Sequence, residues 1–137
     1  MEAFSKLYDI LRQLFKPTAQ EYTPKEKRNL VKPAVDYILQ HYFDLRITND
    51  QLAALCGIST VYFRKCFESA FGVPPIRYLH NYRIKKAKDI LSSDFSSIEQ
   101  VAESVGYSSV YHFSKMFKTY TGMSPSEYAK ARRRPPC

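Results

Sequence analysis

The chain has 137 residues, a formal net charge of +8 from 21 Lys and Arg against 13 Asp and Glu, and three cysteines. That length suits one domain with enough apolar side chains for a core; no apolar run is long enough to span a bilayer, and the acids at Glu2 and Asp9 argue against a signal peptide. Cys56, Cys66 and Cys137 are odd in number and widely spaced, so they form no disulfide framework and suit a reducing compartment, the cytoplasm.

Phe4, Leu7, Tyr8, Leu11, Leu14 and Phe15 recur at helical spacing and predict an amphipathic helix over Met1–Phe15. Its apolar stripe needs a cover: either the rest of this chain, or a missing upstream regulatory or dimerisation domain of which residues 1–24 are the remnant. Lys16–Lys25, polar with two prolines, reads as a linker. The next helix is expected from about Lys25 to Tyr42, with Val31, Ala34, Val35, Ile38, Leu39 and Tyr42 as its inner stripe. Pro33 falls inside that pattern and either sits in the first turn of a shorter helix or kinks a longer one. Phe43–Ile47 reads as a turn.

From Thr48 to Phe71 the pattern is helix, glycine turn, helix. Thr48 and Gln51 have the spacing of a capping box, and Gly57 marks the turn. Phe63, Cys66, Phe67, Ala70 and Phe71 face inward, and Val61, Arg64, Lys65 and Glu68 outward. Gly72-Val-Pro-Pro ends this unit, and a joining helix follows from Pro75 to Leu91, where proline is well placed at the first position. Ile76, Leu79, Tyr82 or Arg83, Ala87, and Ile90 or Leu91 trace one face of the joiner; Arg77, Arg83, Lys85, Lys86 and Lys88 supply charge. At 1.5 Å per residue it spans roughly 25 Å.

After a loop over Ser92–Ser96, a second helix, turn and helix runs from Ser97 to Thr121. Ser97 and Gln100 again have capping-box spacing, Gly106 stops the first helix, and Phe113, Met116, Phe117 and Tyr120 form the inner stripe of the second. Ser124, Pro125 and Glu127 open a last short helix expected to reach about Ala131, anchored by Tyr128. From Arg132 the chain reads as a basic tail kept non-helical by proline, either touching phosphate or frayed in solvent.

The two units are copies. Leu52 aligns with Val101, Ala53 with Ala102 and Gly57 with Gly106, an offset of 49; Phe63 aligns with Phe113, Lys65 with Lys115, Phe67 with Phe117 and Gly72 with Gly122, an offset of 50. The extra residue falls in the glycine turn, where an insertion is best tolerated. Two copies are too few for a solenoid, so this is a duplicated module. The fold class expected is all-α: about seven helices forming two helix-turn-helix subdomains, about 48–71 and 97–121, joined by a long helix at about 75–91 and preceded by the extra N-terminal helix. The basic charge is confined to residues 25–137, which hold eighteen basic and ten acidic side chains, whereas residues 1–24 balance. A basic domain suits a polyanion, although solubility alone would also account for the charge.

Ile98, Val101, Ala102, Val105, Gly106, Tyr107, Ser109, Phe113, Ser114, Lys115, Phe117, Lys118, Gly122, Ser124, Pro125 and Tyr128 form a long spaced motif. It resembles the second helix-turn-helix of AraC/XylS-type bacterial transcription regulators, and the resemblance covers roughly Leu30 to Arg132. It implies a sequence-specific domain for double-stranded DNA, RNA polymerase as a further partner, and an N-terminal sensing or dimerisation domain of the kind this family commonly carries. With packed ends added, the joiner could set two recognition helices about 34 Å apart, one turn of B-DNA.

Base contact is expected from Val61, Arg64 and Lys65 on the first recognition helix and from Tyr111, His112 and Lys115 on the second. Arg64 and Lys65 can donate to guanine O6 and N7, and Val61 can meet a thymine methyl. Lys115 stands where the family more often has arginine; a point charge without arginine's fork suits phosphate better than a base. That fits a second unit serving affinity more than discrimination, as is common in the family. Phosphate contact is expected from Ser59, Thr60, Ser108 and Ser109 at helix N-termini, and from Arg83, Lys85, Lys86 and Lys118. The rival reading is a helical protein-interaction module of a transcription complex, its basic faces merely soluble. No His or Cys pair has zinc spacing, no phosphate loop or nucleophile elbow is present, and no carboxylates pair up. The expectation is therefore no enzyme, cofactor or metal.

Overall fold

The structure, a computed structural model, describes residues 22–133. The helix expected over Met1–Phe15, most of the linker and the chain beyond Arg133 lie outside the described residues. Seven helices and no strand occur among those described: α1 (Pro24–His41), α2 (Asn49–Cys56), α3 (Thr60–Phe71), α4 (Pro75–Leu91), α5 (Ile98–Ser104), α6 (Val110–Thr121) and α7 (Pro125–Arg133).

Helix α1 starts at Pro24, its first residue, because Thr23 and Glu26 close a reciprocal capping box: Glu26 N–H donates to Thr23 Oγ1 (3.2 Å), and Thr23 N–H to Glu26 Oε2 (2.8 Å). The helix continues through Pro33, whose ring lies on the exposed side while Val31, Ala34 and Ile38 are buried. The boxes expected at Thr48 and Ser97 are half formed. Their hydroxyls accept from Gln51 N–H and Gln100 N–H, but the Gln51 amide donates to Tyr37 Oη (3.1 Å) and Gln100 turns to Ser96. The last helix runs on through Arg133, so Arg132 and Arg133 are not a frayed tail. Arg132 lies over the Tyr128 ring, and Arg133 lies over Phe95 and donates to the Ser93 carbonyl (2.8 Å).

Two cores lie among the described residues. The first joins α1, α2 and α3 to the start of α4 through Val31, Ile38, Leu52, Phe63, Phe67 and Leu79. The second joins the end of α4 to α5, α6 and α7 through Ile84, Ala87, Leu91, Val101, Val105, Phe113 and Phe117. Helix α4 belongs to both because its buried residues Leu79, Arg83, Ala87 and Leu91 recur every four positions along one stripe. Tyr42, just after α1, packs on both cores.

Helices α3 and α6 are fixed by what they bury. Phe63 and Phe67 in α3, and Phe113 and Phe117 in α6, are wholly buried. Phe63→Ala should therefore cost about 3–5 kcal/mol, whereas Val61→Ala, two residues away on the exposed side, should stay within about 0.5 kcal/mol. Urea unfolding followed by circular dichroism measures both.

Candidate nucleic-acid interface

Helices α3 and α6 begin alike. The Ser59 hydroxyl accepts from Tyr62 N–H (3.2 Å) and the Ser109 hydroxyl from His112 N–H (3.3 Å). Burial of the phenylalanines then turns Val61, Arg64 and Lys65 of α3, and Tyr111, His112, Lys115 and Lys118 of α6, to the exposed side. Arg64, Lys65, Lys115 and Lys118 make no ion pair with another described residue. Val61 (66% exposed) and Tyr111 (77%) are the two most exposed large apolar side chains among the described residues, and they occupy equivalent places in the two copies. A single exposed apolar residue is ordinary. Here the same place is bare in both copies.

The other expected contacts divide. Ser108 and Lys85 are exposed, and Ser59 and Ser109 hold their caps at the starts of α3 and α6. The Thr60 hydroxyl donates to Asp50 Oδ1 (2.7 Å), so it leaves only its helix-terminal backbone for an anion. Lys86 is half-buried, its Nζ 5.3 Å from the Tyr82 ring centre and 5.9 Å from that of Tyr42.

Arg83, expected at a phosphate, is instead turned into the protein. It is 6% exposed, on the buried stripe of α4. Its Nε donates to the Tyr42 carbonyl (2.7 Å) and its Nη2 to the Asp44 carbonyl (2.6 Å), both just after α1. The guanidinium Cζ lies 5.5 Å from the Tyr107 ring centre, in the turn of the second copy. Gly106 makes room for this: a Cβ there would come 2.7 Å from the Tyr42 carbonyl and 2.8 Å from Arg83 Nε, and its φ of +100° is one that L residues avoid.

Around Arg83 lies a cluster that sequence reasoning missed. Tyr107 is buried, and its hydroxyl is 2.8 Å from His80 Nδ1 on α4. The His112 ring stands edge-on to Tyr107 at 5.3 Å and to His80 at 6.3 Å. His112 therefore touches the joint between the halves with its ring while belonging to the exposed face of α6. A signal was available. Ile58 N–H and Tyr107 N–H make equivalent bonds, to the Ala53 and Ala102 carbonyls, so the inserted residue follows Tyr107 and an aromatic replaces Ile58 there.

A helix-turn-helix domain family profile matches residues 52–131. The chain belongs to the AraC-type helix-turn-helix family. The matched stretch is a sequence-specific DNA-binding domain of the kind that transcription regulators of this family carry. Among similar AraC-type domains of known structure, the C-terminal domain of AraT, a response regulator from Geobacillus stearothermophilus, has 31% identity and a TM-score of 0.74, over 77% of this chain and 88% of that one. The DNA-binding domain of AdpA, solved in complex with a target DNA, has 27% identity and a TM-score of 0.71, over 75% and 92%. The HTH-type transcriptional regulator YisR of Bacillus subtilis is 34% identical over 78% of this chain. The MmsAB operon regulatory protein of Pseudomonas aeruginosa is 29% identical over 92% of it. This AraC-type chain spans 37% and 39% of those two proteins.

Burial at the joint has an electrostatic consequence. The His80 imidazole is lowered from 6.5 to about 4, chiefly by burial, then by the charge of Arg83 and by His112. Burial likewise pushes the Tyr107 phenol well above its ordinary value, so its hydroxyl stays protonated beside His80. For His80 the folded value lies below the unfolded one. As pH falls through about 6.5 the unfolded chain takes up a proton that the folded chain refuses until about 4. Its stabilising contribution is thus complete above that window and lost within it. In urea titrations between pH 7 and 4, the gap in stability between wild type and His80→Gln should narrow as pH falls, and proton NMR should find the His80 ring neutral at pH 5.5.

Proposed function

We propose that this domain reads duplex DNA with both recognition helices, α3 in one major groove and α6 in the next. The observation that carries the reading is the repeated bare face, Val61, Arg64 and Lys65 in one copy and Tyr111 and Lys115 in the other. Arg64 supplies the forked donor for a guanine, Lys65 a second donor, and Val61 an apolar contact for a thymine methyl. On α6, Tyr111 and Lys115 lie against the backbone and base edges, with His112 at the margin. Lys85, Lys118, Ser108 and the starts of α3 and α6 hold phosphates. Lys65, Lys115 and Lys118 on two separate helices favour a polyanion over an uncharged docking partner.

The curated relatives are more than twice as long as the stretch this chain matches, which leaves room for sensing or dimerisation in another domain. In the proposed role, signal reception belongs to such a domain, RNA polymerase is the machinery acted on at the promoter, and the protein works in the cytoplasm. No described helix is long and apolar enough to cross a membrane.

Selection of bound duplexes from a random pool tests the reading: it should yield two short conserved blocks one helical turn apart. Binding to the selected duplex should weaken with salt at a log–log slope of about −5, as for about six phosphate contacts; a flat response would sink the proposal. Arg64→Ala should cost about 1–3 kcal/mol on the selected site and relax preference at one base pair. An equal loss on every sequence would show that Arg64 holds only the backbone.

A further inference from the structure

We propose that Arg83 is a positioning residue for DNA reading: its guanidinium, bound to the first half and covered by the second, sets the angle at which the two recognition helices are presented. The inference rests on the two-groove reading for its function and on contacts alone for its mechanism.

Three elements distant in sequence meet at this side chain. From the middle of α4 it donates to the carbonyls of Tyr42 and Asp44, which belong to the segment leading into the first helix-turn-helix. The same guanidinium lies over the ring of Tyr107, in the turn that leads into α6. Gly106 closes the gap, since the space a Cβ would take is filled by the Tyr42 carbonyl and the guanidinium itself. Tyr107 is then tied back to α4 through His80. The first core lies on one side of this point along α4, through Leu79, and the second on the other, through Ile84 and Ala87. A helix alone would leave each half free to roll on its end; a fork gripping one half under the ring of the other removes that freedom. Arginine suits the task because its planar donors can take two carbonyls at once while its face stacks on an aromatic, which lysine cannot do.

The expected consequence concerns geometry more than affinity. A rigid joint makes the second groove contact nearly intramolecular, at high effective concentration for one half-site spacing only. A loose joint lowers that advantage by about tenfold to a hundredfold and spreads it over several spacings.

The test has one arm without DNA and one with it. Spin labels at Glu68→Cys and Thr119→Cys, exposed on α3 and α6 outside the proposed contacts, report the distance between recognition helices by pulsed electron resonance, with Cys56 and Cys137 changed to serine. The unmodified joint should give one narrow distance distribution. Arg83→Met should broaden it at least twofold while each helix-turn-helix keeps its helical content. Should the methionine variant fail to fold, Arg83→Lys serves in its place, since it keeps the charge but loses the double grip, and it too should broaden the distribution. A broad distribution with Arg83 present, or one as narrow in the variant as in wild type, overturns the proposal. With the selected duplex and versions carrying one or two base pairs added between its blocks, wild type should prefer the original spacing at least tenfold and the variant should lose most of that preference. An unchanged spacing ratio also overturns it. A duplex selection that yields only one block, together with a narrow distance distribution, defeats the two-groove reading and leaves the joint standing.

Discussion

Two phenylalanine pairs spaced by four residues decide what the outside of this protein can be. Phe63 with Phe67, and Phe113 with Phe117, place their ring centres 5.7 and 5.8 Å apart beneath α3 and α6 and are wholly buried. Each buried ring contributes about 1.5–3 kcal/mol of hydrophobic transfer. At 3.6 residues per turn, sinking positions 63 and 67 leaves 61, 64 and 65 facing away. The exposed face is therefore a geometric consequence of the core. The core makes little demand on which side chains stand there: Val61, Arg64 and Lys65 are exposed, and so are Tyr111 and Lys115.

The joint between halves follows different physics. Each half has three helices of its own and a share of α4, and small cores of that kind are marginal alone. Sharing Tyr42 between both cores couples them. A buried guanidinium is costly unless its donors and its charge are answered. Here two backbone carbonyls and an aromatic face answer it, with no carboxylate of a described residue bound to it. Burial still pulls the Arg83 guanidinium below its ordinary value, although Tyr107 and Asp44 oppose the shift and the side chain remains charged at neutral pH.

Periodicity and punctuation made most of the fold legible. The inward stripes of α3 and α6, the proline start of α4 and the glycine stops are local signals, and the duplication shows in residue identities alone. Less legible were features that depend on a partner far along the chain. On α4, Tyr82 and Arg83 both fit the apolar stripe by spacing, and charge argued for placing Arg83 outside. The deciding fact was a pair of carbonyls about forty residues earlier. Gln51 and Gln100 fit capping boxes by spacing, yet Tyr37 and Ser96 compete for their side chains. The real box, Thr23 with Glu26, lay in a stretch whose prolines suggested a linker. Arg132 and Arg133 precede prolines, which suggested a frayed end, but contacts with Tyr128, Phe95 and Ser93 keep them in α7.

The two turns show what duplication leaves free and what assembly then takes up. Gly57 and Gly106 both adopt a left-handed backbone, with φ of +68° and +100°. Around Gly57 a Cβ would meet nothing, so there glycine answers only the need of the chain to reverse. Around Gly106 the same Cβ would strike Tyr42 and Arg83. The second turn has thus become a socket as well as a turn, with Tyr107 buried where the first copy has the half-buried Ile58. Because that socket receives a side chain from α4 and backbone from the segment just after α1, the two halves meet at residues other than those on the exposed faces of α3 and α6. In the proposed role, changes on the exposed faces would alter which sequence is bound and leave the fold alone, whereas changes at the socket would alter where the two faces point without touching either one.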